Sequence, residues 1–435
     1  MKSSTKTLIN NTASLGIVQI VNYVFPLITI PYVSRIIGPD GFGVINYATA
    51  FVSYFILIIN FGFDFTATRK IASNPNDKSL VEKTYSEVFN ARLLLFLISI
   101  PLYVICLFLF PIQKQHYIIS LVLFLNVFSA LLTPQYLFQG LQKLAFFSRL
   151  NLLKAALNTL FILLIIKSKD DLVLYVAIGV GGNFLIALLA LLYVRFALKL
   201  KFRTLPVKRS VHALWSGRFI FYSSIVFSLY TTTNIIILGL FDSTINIGYY
   251  TTAVTFINIV QNTINIPLSS ALYPYIGRAF SEGKENGMDK LKKILPITFY
   301  FNLLVSSGIL ILSPFLIVLV FGEKFEGSII IVQILSLLPF ISGLSNMMGI
   351  QTMLNLKMDK LFLKITSLGA FLSIILNLVF GYLFGYTGTA CSYLLTETFI
   401  VFSLFLALKK KEIVLFDKAN FKLKNIYAQL SAVRR

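Results

Sequence analysis

Apolar residues fall in long runs along this chain, separated by short polar segments. A helix that crosses a bilayer needs about 20 mostly apolar residues. On that measure the runs predict twelve spanning helices. They lie at about 12–34, 44–63, 89–111, 118–139, 150–166 and 171–194 in the first half. In the second half they lie at about 217–240, 247–272, 294–321, 329–353, 361–383 and 386–408. The fifth run is short and polar at its start. The last two are parted only by a tight turn around Gly385, Tyr386 and Gly388. The connections at about 64–88, 195–216 and 273–293 are the longest, and within them Ser79–Asn90 and Gly287–Leu295 read as short interfacial helices. No run begins like a cleaved leader, so the first is read as a retained span.

Composition agrees with this pattern. The chain has 435 residues, 57% hydrophobic and only 13% charged, and a soluble surface cannot be built from so few charges. The formal net charge of +21 would suggest a nucleic-acid partner in a soluble protein. Here the basic residues lie mostly between apolar runs, so no nucleic acid is expected. With the N-terminus inside, 33 of the 38 Lys and Arg residues fall on the inner side. The five others, Arg35, Lys114, Lys167, Lys169 and Lys324, fall outside. Both termini are therefore expected in the cytoplasm, with 409–435 as a basic tail against the membrane. Cys106 and Cys391 lie inside apolar runs, and His116 and His212 have no metal-binding spacing, so no metal site or disulfide is predicted.

The chain restarts at its middle. Arg35-Ile36-Ile37-Gly38-Pro39-Asp40 leads to Gly43, Ala48 and Phe51, and Gly239-Leu240-Phe241-Asp242 leads to Gly248, Ala253 and Phe256. Each segment joins the first and second spans of its half. The predicted architecture is all-α, two six-helix bundles related by a pseudo-two-fold axis along the membrane normal. Residues 1–210 form the first bundle and its linker, and 211–408 form the second.

Charge inside a bilayer is costly, so the few charged residues near the spans are the first functional candidates. Arg35, Arg92 and Arg218 are candidates to hold phosphate, because a planar multi-donor head suits that anion. For Arg92 and Arg218, both near span ends, the competing reading is simple anchoring at the headgroups. Asp64 closes the second span. Glu397 lies near the middle of the twelfth and could carry a proton or a cation, or pair with an Arg or hydroxyls. Asn258, Gln261, Asn262 and Asn265 share one face of the eighth span. Gln261, Asn262 and Asn265 are candidate sugar ligands, with helix contact as the alternative. Asn10, Gln19 and Asn22 form a further polar set around the first span. No Walker A motif and no nucleophile–base pair is present, so an enzyme or self-contained ATP motor is not predicted. An ion gradient of H⁺ or Na⁺, the substrate's own gradient or a partner is left to drive movement.

The stretch Asn22-Tyr23-Val24-Phe25-Pro26 through Arg35-Ile36-Ile37-Gly38-Pro39-Asp40-Gly41-Phe42-Gly43 closely resembles the start of bacterial O-antigen and capsule flippases. Asn60-Phe61-Gly62-Phe63-Asp64, Ala67-Thr68-Arg69 and Pro134-Gln135-Tyr136-Leu137-Phe138-Gln139-Gly140 resemble the same family. These are polysaccharide transporters of the multidrug/oligosaccharidyl-lipid/polysaccharide exporter superfamily. The resemblance implies a V-shaped, MATE-like pair of bundles in the inner membrane. It implies flipping of undecaprenyl-diphosphate-linked repeat units to the outer leaflet, through a positively charged central cavity. It marks Arg35 and Asp64 as functional positions. A polysaccharide polymerase and glycosyltransferases are the partners it suggests. The alternatives are a cation-coupled multidrug exporter of the same superfamily, or a non-transporting scaffold for polysaccharide assembly.

Overall fold

The computed structural model describes residues 2–203, 206–416 and 420–421, with side chains described for residue 25 and from residue 28 onward except 207, 266, 270 and 271. Asn10, Gln19 and Asn22, and most of the basic tail, lie outside these. Every regular element among the described residues is helical. Among the described residues, eight helical stretches are long and apolar enough to cross a membrane. Their surfaces are inverted relative to a soluble protein: Phe108, Leu109, Leu304, Ile311 and Tyr382 are each 65–73% exposed. Apolar exposure on this scale needs lipid around it. The chain is an all-helical, multi-pass membrane protein.

Two of the longest helices are not continuous. Lys2–Asn60 is broken at Gly38 (φ 74°), and Asp359–Lys410 at Gly385 (φ 58°, ψ −137°). The second break is held by Asp242. Its Oδ2 accepts the Tyr386 backbone N–H at 2.9 Å, and its Oδ1 accepts Ser243 N–H and Asn246 Nδ2. A Cβ at Gly385 would stand 2.5 Å from Asp242 Oδ2, on a backbone that L side chains rarely adopt. Gly385→Ala should therefore lower stability by about 2 kcal/mol. A drop of several degrees in the melting temperature of the detergent-solubilised protein would register it.

The two turns of the sequence repeat differ in backbone. The first bends at Gly38, whereas Gly239 has an ordinary φ of −70° and closes the short Thr233–Leu238 helix. The expected interfacial helices are also different from the prediction. Ser79–Asn90 is the first part of the continuous Lys78–Leu109 helix, and Gly287–Leu295 belongs to Lys284–Phe321. Charged residues there extend spanning helices beyond the apolar zone without breaking them, because no proline or glycine interrupts 78–90. Asp77 caps the first of these by accepting Leu80 N–H.

The chain divides into two compact units, 1–228 with 320–324, and 229–319 with 325–435. In the first, the Leu144–Ile165 helix packs on the Lys2–Asn60 and Leu172–Leu192 helices. A core of Phe63, Ile71, Val81, Tyr136, Leu137 and Phe138 closes one end. In the second, the Asp359–Lys410 helix packs on Thr233–Leu238 and on the segment 327–354. Its core includes Ile276, Leu295, Met347, Met348 and Leu404.

Candidate functional site: a cationic cavity in the first unit

The first unit holds a partly open cavity of about 420 Å³ with many polar side chains in its wall. Asn60, Asp64, Arg92, Asn126, Gln135, Asn151, Lys154 and Asn183 all line it. They come from several helical segments, so no short motif contains them.

Arg92 is the anchor of one side. Its side chain is 2% exposed, inside the Lys78–Leu109 helix. Proline explains its place. The Tyr117–Leu132 helix ends at Thr133, and Pro134 has no N–H to offer the Ala130 carbonyl. Arg92 Nη1 supplies the missing donor, to Ala130 O at 3.2 Å and to Thr133 O at 2.9 Å. Nη2 donates to Asn60 Oδ1 at 3.1 Å and reaches Asp64 Oδ1 at 3.5 Å. The Tyr136 ring lies 5.1 Å from the guanidinium carbon. A bare guanidinium at such depth is expensive, and these acceptors and the ring offset its desolvation. Asp64 occupies the first turn of the Phe63–Ser73 helix, where the helix dipole favours a carboxylate. Its side chain is about one-third exposed toward the cavity, so it keeps acceptor capacity.

Lys154 marks the other side. It stands midway along the 22-residue Leu144–Ile165 helix. Its Nζ donates to Asn183 Oδ1 at 3.2 Å, and Asn183 Nδ2 donates to Asn126 Oδ1 at 2.8 Å. The chain of amides orients the ammonium and uses one of its three protons. Gly182 permits this approach: a Cβ there would collide with Asn158 Oδ1 and lie 2.9 Å from Lys154 Cγ. The hydropathy pattern places Lys154 at the inner edge of the fifth span and does not mark it as a site residue. The available signal is its spacing from Asn151 and Asn158, three and four residues away on the same helical face.

The other candidates lie elsewhere. Arg35 is exposed, three residues before the Gly38 break, and its carbonyl accepts Lys324 Nζ at 3.3 Å. Arg218 is half-buried and folds back on its own helix. It donates to Trp215 O at 2.6 Å and stacks on the Trp215 and Phe219 rings at 4.3 and 4.4 Å.

The remaining set belongs to the second unit. Gln261 Nε2 donates to Ser342 Oγ at 3.1 Å, and Asn262 is exposed. Asn265 is half-buried with Nδ2 unpartnered among the described residues. Ser269, further along the same helix, joins Asn346 (2.9 Å) and Gln351 (3.3 Å). Both amides lie on a π-helical stretch, Asn346–Leu354. Glu397 is half-buried, with Tyr230 and Tyr393 close enough to feel its charge. No ion pair reaches it among the described residues. Asn234, one of the polar residues of the seventh predicted span, belongs to a fully buried seam in which Asn377 Nδ2 donates to its Oδ1 at 3.0 Å, beside Ser373.

The sequence that builds this multi-pass helical fold and its cavity matches a known family model. The model is that of the polysaccharide biosynthesis proteins, and it covers residues 8–280. The chain belongs to this family. Its curated relatives include a protein of Escherichia coli strain K12 described as "Putative O-antigen transporter", 28% identical over 92% of this chain and 96% of its own. One of the same description from Shigella dysenteriae is 26% identical, over 92% and 99%. These relatives are described as transporters. Among solved structures, a lipid II flippase, MurJ, in an inward closed conformation matches with TM-score 0.72 at 16% identity, over 96% of this chain and 91% of that one. An inward-facing MATE-family multidrug transporter of the MOP superfamily matches with TM-score 0.71 at 14% identity, over 93% and 98%. At such identities the likeness concerns the fold.

Proposed function

We propose that this protein flips undecaprenyl-diphosphate-linked oligosaccharide repeat units from the cytoplasmic to the outer leaflet of the inner membrane, for O-antigen or capsular polysaccharide synthesis. The observation that carries this reading is the pairing of cations with amides in one cavity. Lys154 has ammonium protons left for a phosphate-bearing group, Arg92 adds positive charge behind the wall with its own donors committed to the protein, and Asn60, Asn126, Asn151 and Asn183 suit sugar hydroxyls. The description of the curated relatives as O-antigen transporters agrees with such a cargo.

Twelve spans in two six-helix bundles suit this role. Two of the eight long apolar stretches carry breaks, at Gly38 and Gly385, and each break can join two spans. The Val207–Thr231 and Thr244–Glu282 helices supply two more. The basic-residue asymmetry supports cytoplasmic termini. Within this reading, Asp64 and Glu397 are the carboxylates that couple movement to H⁺ or Na⁺, and Gln261, Asn262 and Asn265 are further polar contacts for the sugar. A polymerase and glycosyltransferases would receive and supply the cargo.

The test is reconstitution of the purified protein in vesicles with a labelled lipid-linked oligosaccharide. Protected label accumulating only with active protein supports flipping, and no movement under any imposed gradient favours a scaffold. Glu397→Gln removes the titrating group while keeping shape. Its transport should become insensitive to pH across the range where the parent responds. An unchanged pH profile in the variant would remove Glu397 from coupling.

A further inference from the structure

The first unit carries a second basic site, separate from the cavity around Arg92 and Lys154. A groove of about 970 Å³ lies between the Phe63–Ser73 helix, the first turns of Lys78–Leu109 and the start of Val207–Thr231. Its apolar walls include Phe63, Ala67 and Val88, all buried. Lys70, Lys83, Lys208, Arg209 and His212 also line it. Glu87 is the carboxylate among its lining residues, and Lys70 already holds it at 2.7 Å. Lys83, Lys208 and Arg209 are exposed and form no ion pair among the described residues. The groove thus offers three uncompensated cations above an apolar floor.

Its depth is marked by aromatic residues. Trp215 lines the groove and is 64% exposed, and Phe219, one turn on, is 68% exposed. Arg218 stacks on both rings. Exposed aromatic rings flanked by cations mark the membrane interface. The groove therefore opens where phospholipid headgroups lie. Its polar lining also differs from that of the transport cavity. No Asn or Gln lines it among the described residues, so it has phosphate chemistry without amides for sugar.

We propose that this groove is a binding site for the headgroup of an anionic phospholipid. Lys83, Lys208 and Arg209 bind the phosphate oxygens, and an acyl chain follows Phe63 and Trp215. The assignment rests on the chain's being a membrane protein and not on what it transports. A lipid held here bridges the start of the Val207–Thr231 helix to the Phe63–Ser73 and Lys78–Leu109 helices.

Trp215 is the single tryptophan of the chain, so its fluorescence reports this groove alone. The protein is placed in phosphatidylcholine nanodiscs with increasing cardiolipin that carries brominated acyl chains. Saturable quenching of Trp215 is expected at low cardiolipin fractions, and brominated phosphatidylcholine at the same fractions should quench weakly and without saturation. Replacing Lys83, Lys208 and Arg209 together by Gln should raise the cardiolipin midpoint about ten-fold. An equal charge loss elsewhere, Lys409, Lys410 and Lys411 to Gln, should leave it within about two-fold. The proposal is overturned if both triple variants shift equally, since general surface charge would then account for the binding. It is also overturned if a lipid-linked oligosaccharide diphosphate displaces cardiolipin at lower concentration, which would make the groove a loading site for cargo.

Discussion

Arg92→Ala is expected to destabilise the protein by about 3 kcal/mol and to remove transport with it. The loss has identifiable parts. The carbonyls of Ala130 and Thr133 lose their donor, and Pro134 already denies the Ala130 carbonyl a helical one. Asn60 loses its partner, and Asp64 is left with no counter-ion among the described residues. Arg92→Lys should rescue little, because one ammonium cannot reproduce the planar fork that serves two carbonyls and an amide at once. Asp64→Asn should be far milder for folding, since its contact with Arg92 is long at 3.5 Å and an amide oxygen can still accept. Thermal unfolding in detergent and abundance in membranes measure all three. If Arg92→Ala melts like the parent, the structural role given to this arginine fails.

Lys154→Met should behave in the opposite way. Transport of a labelled lipid-linked oligosaccharide should fall at least about ten-fold, as expected for loss of one charge-assisted contact to phosphate. Stability should stay within about 1 kcal/mol, because only one hydrogen bond, to Asn183, is given up and the methionine stem fills the same space. Asn183 can still bond Asn126. Lys154→Arg should retain part of the activity, as it keeps the charge. The measurement compares initial flipping rates at matched protein levels in vesicles. Normal transport by Lys154→Met would take the residue out of the cargo site.

The different fates of Arg92 and Lys154 show what a sequence can carry. The helical, membrane-embedded class was legible because a run of about twenty apolar residues suits a bilayer and little else. The tight turn at Gly385 was legible for a local reason, a glycine within a short Gly-Tyr-Thr-Gly segment. The burial of Arg92 was not. It depends on carbonyls released by Pro134, far away in sequence, and near a span end the same arginine looks like a headgroup anchor. Lys154 reads as a membrane-edge residue because an unpaired lysine belongs there. Its partners Asn183 and Asn126 come from two other helices, and only folding brings them together. The continuous helix from Lys78 escapes the hydropathy pattern because polarity there looks like a boundary, although nothing in 78–90 interrupts the backbone.

The hairpin at Gly385 has a mechanical consequence. A turn this short, clamped by Asp242, has no slack, so tilting the 359–384 arm drags the 386–410 arm along. The pair behaves as one rigid lever, and Glu397 rides on it. The longer connection at 73–78, Ser-Asn-Pro-Asn-Asp-Lys, is exposed and free of such a clamp. Epitope tags and cleavage sites for mapping topology belong there, while an insertion at Gly385 would disconnect the lever from its fulcrum.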